Sequence, residues 1–464
     1  MINLEVADME EKKEYACPEQ QRVGCALAGI YTALSIEGVL PIMHSGPGCI
    51  HAISSVLSVA NGGQNPVPYM ESVVPSSNLS EAEVVFGASD KLKSVLEHSL
   101  QYYKAEIFML VTGCSAEIIG EDVGEIAEQY TTPEKTVLHV ALPGFKGNNI
   151  WGHHQVLSAL IDGYVTEYGE TEVVPKRVNV WGVVPHYDPM WVGTLEKLET
   201  LLRRIGLEPN IIYGPGRGIA ALKKIPTAEY NLVLAPWTDL DIAKKLERTF
   251  GTPYIHFPYM PIGPTAEAEL IRTLAETFDL DPVLTESVIK ERADRYFYYF
   301  NRNLVWIFDM HNQRSLPREF FANASASAAL SVTKYFVSDL GLSPRRIFIP
   351  EDVPKKHRKN VRKLFLETAG KYLTEEDIIF TDDGGLFEQY LKDVDQMVRK
   401  SAVIGSIWDD ITAKKANMPF VSVCAPYGDV LVCDKQYFGT DGALTLMADL
   451  YNDAEKKGLV SAVV

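Results

Sequence analysis

IFMLVTGCSAEIIGEDV, residues 107–123, is the stretch on which the fold class turns. Its opening run is short, apolar and unbroken, which is the signature of a strand buried on both faces. Gly113 ends the run, and Cys114 therefore stands at the carboxyl end of the strand. Glu117, Glu121 and Asp122 follow, where carboxylates suit the positive end of a helix. Strand, tight turn and helix in that order form one half of a βαβ unit.

The same rhythm recurs outward from this segment. TVLHVAL (136–142), RVNVWGVV (177–184), NLVLAPW (231–237), NLVWIFD (303–309), RIFIP (346–350) and PFVSVCAP (419–426) read as further buried strands. GTLEKLETLLRRIG (193–206) and ASAALSVTKYFVSDLG (326–341) carry apolar residues at helical spacing and stop at glycine. DPVLTESVIKERADRYFYYFNRN (281–303) predicts a long helix leading into strand 303–309. The class is α/β, with mainly parallel sheets whose strand-to-helix loops face a common cleft. Boundaries fall near 175 and 300. The expected domains are 1–175, carrying the cysteines, 176–300 in the middle and 301–464 at the end.

A chain of 464 residues exceeds what one core sustains. Its hydrophobic content (46%) and charged content (23%) are ordinary for a globular protein. The net charge of −17 disfavours a nucleic-acid surface and suits protein partners. No apolar run has membrane-spanning length, and MINLEVADMEEKKEY is not signal-like, so a cytoplasmic setting with no membrane contact is expected. Six cysteines in a reducing compartment are packing residues, nucleophiles or metal ligands rather than disulfides.

Three of them sit in glycine-preceded words: Cys25 in RVGCALAG, Cys49 in HSGPGCIHA and Cys114 in VTGCSAEIIGEDV. Glycine permits sharp turns and close approach to a bulky group, and Gly46-Pro47-Gly48 reads as neither regular helix nor central strand. The separations, 24 and 65 residues, are unlike the short pairs of a zinc knuckle. They admit either buried packing cysteines or a large cluster shared between converging loops or chains.

The ordered words GCALAG, PIMHSGPGC, VVFGASDKL, TGCSAEIIGEDV and GFKGNNIWGHH, followed by PYMPIGPTAEAELIRTL (258–274) and NMPFVSVCAPYGDVLVCDKQYFGTDGALTL (417–446), resemble nitrogenase component 1 chains over roughly residues 15–450. The resemblance implies three Rossmann-like domains and a homologous component 1 subunit as partner, in a heterotetramer or a homodimer. It also implies an ATP-hydrolysing iron protein as electron donor and a small-molecule substrate. Cys25, Cys49 and Cys114 match the thiolates given to an interfacial iron–sulfur cluster, either P-cluster-like with eight irons or a 4Fe-4S cluster. His153 matches a histidine beside the catalytic cofactor, and is also readable as an exposed helix-start residue. Ala235 replaces the cysteine that anchors that cofactor, and Cys424 falls where its second anchor, a histidine, would stand. Cys424 is thus a metal-ligand candidate for a second metallocluster, or a packing residue. Cys17 and Cys433 are read as non-ligands, YGPGRG (213–218) as a flexible turn, and WTDLDIAKKLERTFG (237–251) as a helix with a solvated charged face. The functions that follow are a nitrogenase-like reductase subunit, a metallocluster-assembly scaffold, or a regulatory chain without iron.

Overall fold

In the computed structural model, residues 22–55, 74–308, 316–394, 401–428 and 431–456 are described. Three sheets organise them, and every strand pair is parallel. The first sheet holds β1 (Val39–His44), β2 (Ile107–Thr112) and β3 (Thr136–Ala141), in that order. The second holds β4 (Val174–Trp181), β5 (Glu208–Asn210), β6 (Ala228–Val233) and β7 (Tyr254–His256), ordered β5-β4-β6-β7. The third holds β8 (Glu319–Asn323), β9 (Ser343–Ile349), β10 (Ile378–Phe380), β11 (Ala402–Gly405) and β12 (Phe420–Ser422), ordered β10-β9-β8-β11-β12.

The apolar runs are continuous because both faces of each sheet are covered. Along β2, Ile107, Met109 and Val111 enter the main core, while Phe108 and Leu110 enter a second cluster with Leu92, Leu96 and Ile126. In β8, Phe320 packs with Phe336, whereas Phe321 turns to Phe348 and Phe387. Period-two alternation between two cores favours apolar residues at most positions, and buried strand polars such as Thr112, Asn179 and Asn231 are hydrogen-bonded. Each large side chain so buried contributes about 1.5–3 kcal/mol.

The helices that position functional groups are α1 (Pro47–Ser55), α2 (Glu81–Phe86), α3 (Ser89–Tyr102), α4 (Cys114–Ile119), α5 (Val123–Tyr130), α6 (Asn149–Leu160), α7 (Trp191–Arg204), α8 (Leu240–Phe250), α9 (Gly263–Thr277) and α10 (Pro282–Phe308). Two expectations fail here. Residues 303–308 are not a strand but the last turns of α10, and Asp309 lies outside the described residues. No proline or glycine interrupts the helix after Pro282, so adding one more hydrogen-bonded residue costs less than starting a strand. Gly46-Pro47-Gly48 is not wholly irregular either, because α1 starts at Pro47, whose missing N–H is harmless at a first helical position. Among the described residues no helix is long and apolar enough to cross a membrane.

Candidate functional site

The strands of the first sheet end in register, with His44 beside Thr112 and Thr112 beside Ala141. The loops beyond them therefore emerge side by side. Cys49 follows β1 in the first turn of α1, Cys114 follows β2 as the first residue of α4, and Gly144 follows β3. Cys25 is brought in by α6: it bridges Asn148, Asn149 N–H donates to the Gly24 carbonyl (3.0 Å), and Asn149 Oδ1 accepts the Gly24 N–H (2.9 Å). Asn148 caps α6 through Ile150 and Trp151 N–H (both 3.0 Å).

Gly144 is the pivot of this face. Its N–H donates to Cys114 Sγ (3.1 Å), and a Cβ at this position would stand 2.7 Å from Cys25 Sγ and 3.7 Å from Cys114 Sγ. The glycine that closely approaches the thiols thus lies after β3, while Gly113, before Cys114, packs on Ser45, whose Oγ a Cβ would meet at 2.4 Å. Gly48 faces open space. Cys25 is exposed, and Cys49 and Cys114 are half-buried, so the thiols lie on an open face. Partial burial pushes the Cys25 thiol up, and the nearby Cys114 and Cys49 add to the shift, which marks the three as electrostatic neighbours. Cys49 and Cys114 both sit at helix starts. The carboxylates of this loop have separate tasks. Asp122 caps α5 through Glu125 N–H (3.0 Å). Glu121 caps α3 through Ala88 and Ser89 N–H (2.6 and 3.0 Å). Glu117 accepts from Thr112 Oγ1 (2.6 Å) and faces Lys146 (3.6 Å).

A second constellation forms where the carboxyl ends of the other two sheets converge. Asp188 follows β4, Asp239 follows β6, Glu351 follows β9, Asp409 follows β11 and Cys424 follows β12. Contacts cross between sheets: Trp237 Nε1–H donates to Glu351 Oε1 (2.9 Å), and Ala326 N–H donates to Oε2 (2.7 Å). Burial pushes the Glu351 carboxyl up to about 7 against these two donors. Burial also raises Asp188 to about 7, opposed by Val184 N–H and reinforced by the charge of Asp239. Asp188 is half-buried because its open side faces an apolar cavity of about 100 Å³, walled by Trp191, Met260, Val332, Tyr437 and Phe438.

His153 is fully buried, which overturns its reading as an exposed helix-start residue. Its Nδ1 meets Thr32 Oγ1 (2.7 Å) and its Nε2 meets Asp239 Oδ1 (3.0 Å). Asp239 is also fully buried, so the start of the 237–251 segment is not a solvated face. Burial alone would raise its carboxyl, but His153 and His154 outweigh that and hold it well below the usual carboxylate range. Cys424 is buried apart from the thiol face, among Arg22, Asp409 and Glu351, and burial pushes its thiol up to about 12. Ala235 is buried at the end of β6 and only its carbonyl is engaged, by His256 Nε2 (2.9 Å). Cys433 is exposed, and Cys17 lies outside the described residues. YGPGRG forms a turn with Gly214, Gly216 and Gly218 at positive φ. Sequence reasoning did not single out Arg22, Gly144, His154, Asp188, Asp239, Glu351 or Asp409. The available signal was position: all but Arg22 and His154 come a few residues beyond a strand's carboxyl end, where ligands collect in parallel sheets.

Three all-parallel sheets, with thiols at the strand ends of one and acids at the strand ends of two, define a multi-sheet α/β protein built around carboxyl-end sites. The chain belongs to the nitrogenase component 1 type oxidoreductase family, whose sequence profile matches residues 25–455. It is 23% identical to the nitrogenase molybdenum-iron protein alpha chain of Methanothermobacter marburgensis, over 92% of this chain and 86% of that one. A component of the light-independent protochlorophyllide reductase of Chlorobium luteolum is also 23% identical, over 92% and 79%. The nitrogenase iron-molybdenum cofactor biosynthesis protein NifE of a Nostoc species is 28% identical, but over only 53% of this chain and 51% of its own length. The solved structure of nitrogenase Cp1 at pH 6.5 shares the fold, with a TM-score of 0.77 and 19% identity, covering 96% of this chain and 95% of that one.

Proposed function

We propose that this chain is a cytoplasmic subunit of a nitrogenase-like reductase. In this reading Cys25, Cys49 and Cys114 hold an iron–sulfur cluster against a homologous subunit, and an ATP-hydrolysing iron protein supplies the electrons. The observation that carries the proposal is the gathering of three thiols, distant in sequence, on one open face: Cys25 and Cys114 against Gly144, and Cys49 near Cys25. The donor set fits the group. Thiolates are soft ligands, and the three are spread more widely than the 4.8 Å within which a compact single-ion trio would fall. When bound, such a cluster supplies one-electron relay chemistry.

The residues of the chain set the conditions for that relay. Cys114 accepts the Gly144 N–H, which stabilises charge on sulfur. The absent Cβ of Gly144 leaves room beside Cys25. Exposed Val84, Val85 and Phe86 on α2, with Ile118 on α4 and Phe145 beside Gly144, offer an apolar margin for protein partners. Asp188 and Glu351, raised toward neutrality by burial, are proton donors for a small substrate admitted to the centre.

Anaerobic co-purification tests the reading. Iron and acid-labile sulfide should accompany a homologous partner, and Cys49→Ala with Cys114→Ala should abolish the paramagnetic signal. Unchanged iron and signal in that variant would end the proposal. Ala235, which carries no thiol, favours a second reading as a cluster-assembly scaffold, and NifE is among the relatives. Turnover of a reducible substrate with iron protein and ATP decides against the scaffold.

A further inference from the structure

We propose that His153, His154 and Asp239 form a binding site for one divalent first-row metal ion, separate from the thiol face. Among the described residues this is the one group of three such side chains whose ligand atoms all lie within 4.8 Å of one another. Asp239 Oδ1 is 3.0 Å from His153 Nε2 and 3.3 Å from His154 Nε2. Ligand bonds of about 2.0–2.2 Å place neighbouring ligand atoms about 3.0 Å apart in an octahedral shell and about 3.4 Å apart in a tetrahedral one. The two observed separations span that range.

The supporting contacts are those of a ligand set. Thr32 Oγ1 fixes the far nitrogen of His153 (2.7 Å), and Gly182 N–H holds the second oxygen of Asp239 (2.8 Å). Outer bonds of this kind orient metal-bound imidazoles and carboxylates. A shared proton explains only part of the geometry. A proton on His153 Nε2 accounts for the 3.0 Å contact. His154 Nε2 accepts the backbone N–H of Asp239 (3.1 Å) and lies 3.3 Å from Asp239 Oδ1, so an ion that used its single lone pair would displace that N–H bond. A cation at the shared vertex would exchange that one N–H bond for ligand bonds to His154 Nε2 and Asp239 Oδ1. Ile150, Gly182 and Thr238, neighbours of the three ligands, line a polar cavity of about 10 Å³ that also reaches Asp188 and Glu351. That is about the space of one water. Two imidazoles and a carboxylate suit Zn²⁺, Fe²⁺, Co²⁺ or Mn²⁺.

Cobalt titration of the metal-stripped full chain tests the site independently of the reductase reading. Nitrogen and oxygen ligation gives visible d–d absorption, whereas thiolate ligation adds sulfur-to-cobalt charge transfer in the near ultraviolet. The full chain with Cys25→Ser, Cys49→Ser and Cys114→Ser should lose the charge-transfer band and keep one equivalent of d–d absorption. Asp239→Asn and His154→Gln in that background should each weaken binding by about 100-fold or more, and Thr32→Val by about tenfold. His154 is partly exposed, so His154→Gln decides the matter if Asp239→Asn does not fold. Absence of the d–d band from the triple-serine chain, or its survival in a folded Asp239→Asn or His154→Gln variant, overturns the proposal.

Discussion

Removing the charge of Asp409 should release the segment that carries Cys25. Arg22, three residues before that cysteine, donates to Asp409 Oδ2 (2.5 Å) and Oδ1 (2.9 Å), and both side chains are almost completely buried, at 3% and 2% exposure. Buried pairs are costly to break, because the survivor is left as an unpaired charge away from water, at about 3–5 kcal/mol. Asp409→Asn leaves Arg22 with the Asn323 carbonyl (3.3 Å) and Ser406 Oγ (3.0 Å) as neutral acceptors. Arg22→Met leaves Asp409 better served, with Ser406 N–H (2.8 Å) and Asn323 Nδ2 (2.8 Å) still donating. Asp409→Asn should therefore cost more than Arg22→Met. A loss of 3–5 kcal/mol corresponds to a roughly 150- to 5000-fold larger opening equilibrium. Hydrogen exchange read by mass spectrometry on peptides covering residues 22–30 and 401–409 measures it directly. A change below about tenfold would mean that the pair behaves like an exposed one, and that Arg22 does not fasten Cys25 to the third sheet.

Gly144→Ala should reduce cluster loading without unfolding the chain, because its Cβ would press on Cys25 Sγ at 2.7 Å on an open face; iron per chain and circular dichroism check both halves. Gly152→Ala should be more damaging, since its Cβ would meet the Ala26 carbonyl oxygen at 2.0 Å, where backbone cannot yield; about 1–3 kcal/mol of destabilisation and faster alkylation of Cys25 are expected. Stability should fall as the pH rises through about 7, because Asp188 binds its proton more tightly folded than unfolded. Its contribution is complete below the ordinary carboxylate range and lost above 7, up to about 4 kcal/mol, and Asp188→Asn should flatten that slope in denaturant titrations at several pH values.

The sheets were legible because a strand buried on both faces is mostly apolar, as Ile107–Thr112 shows. Residues 303–308 misled for the same reason: an apolar run at the end of a helix has the composition of a strand, and only continuity with Pro282 distinguishes them. The cysteine words gave the location of the thiols, since Cys114 stands directly beyond a strand. They did not give Gly144, whose role depends on the in-register ending of β2 and β3. The central acids were illegible on chemical grounds. An aspartate beyond a strand looks like a turn residue, and the burial of Asp239 depends on His153, 86 residues away. Long-range pairing of that kind leaves no local periodicity.

The two sites are mechanically joined, and this bears on what the centre can hold. The start of α6 carries Asn148 and Asn149, which grip the Cys25 segment, and His153 follows within the next turns. At 1.5 Å per residue, Asn148 and His153 are about 8 Å apart along the axis, so one stretch of helix links the Cys25 segment to the buried acids. Trp237, Cys424, Arg22 and Glu351 fill the space between the second and third sheets, and the cavities beside Asp188 measure about 100 and 10 Å³. A multi-iron group there would have to part the sheets, breaking the Trp237–Glu351 bond that crosses them. A small molecule or a single ion would not. The closed centre, with its small cavities, therefore fits a small molecule or a single ion better than a bulky cluster.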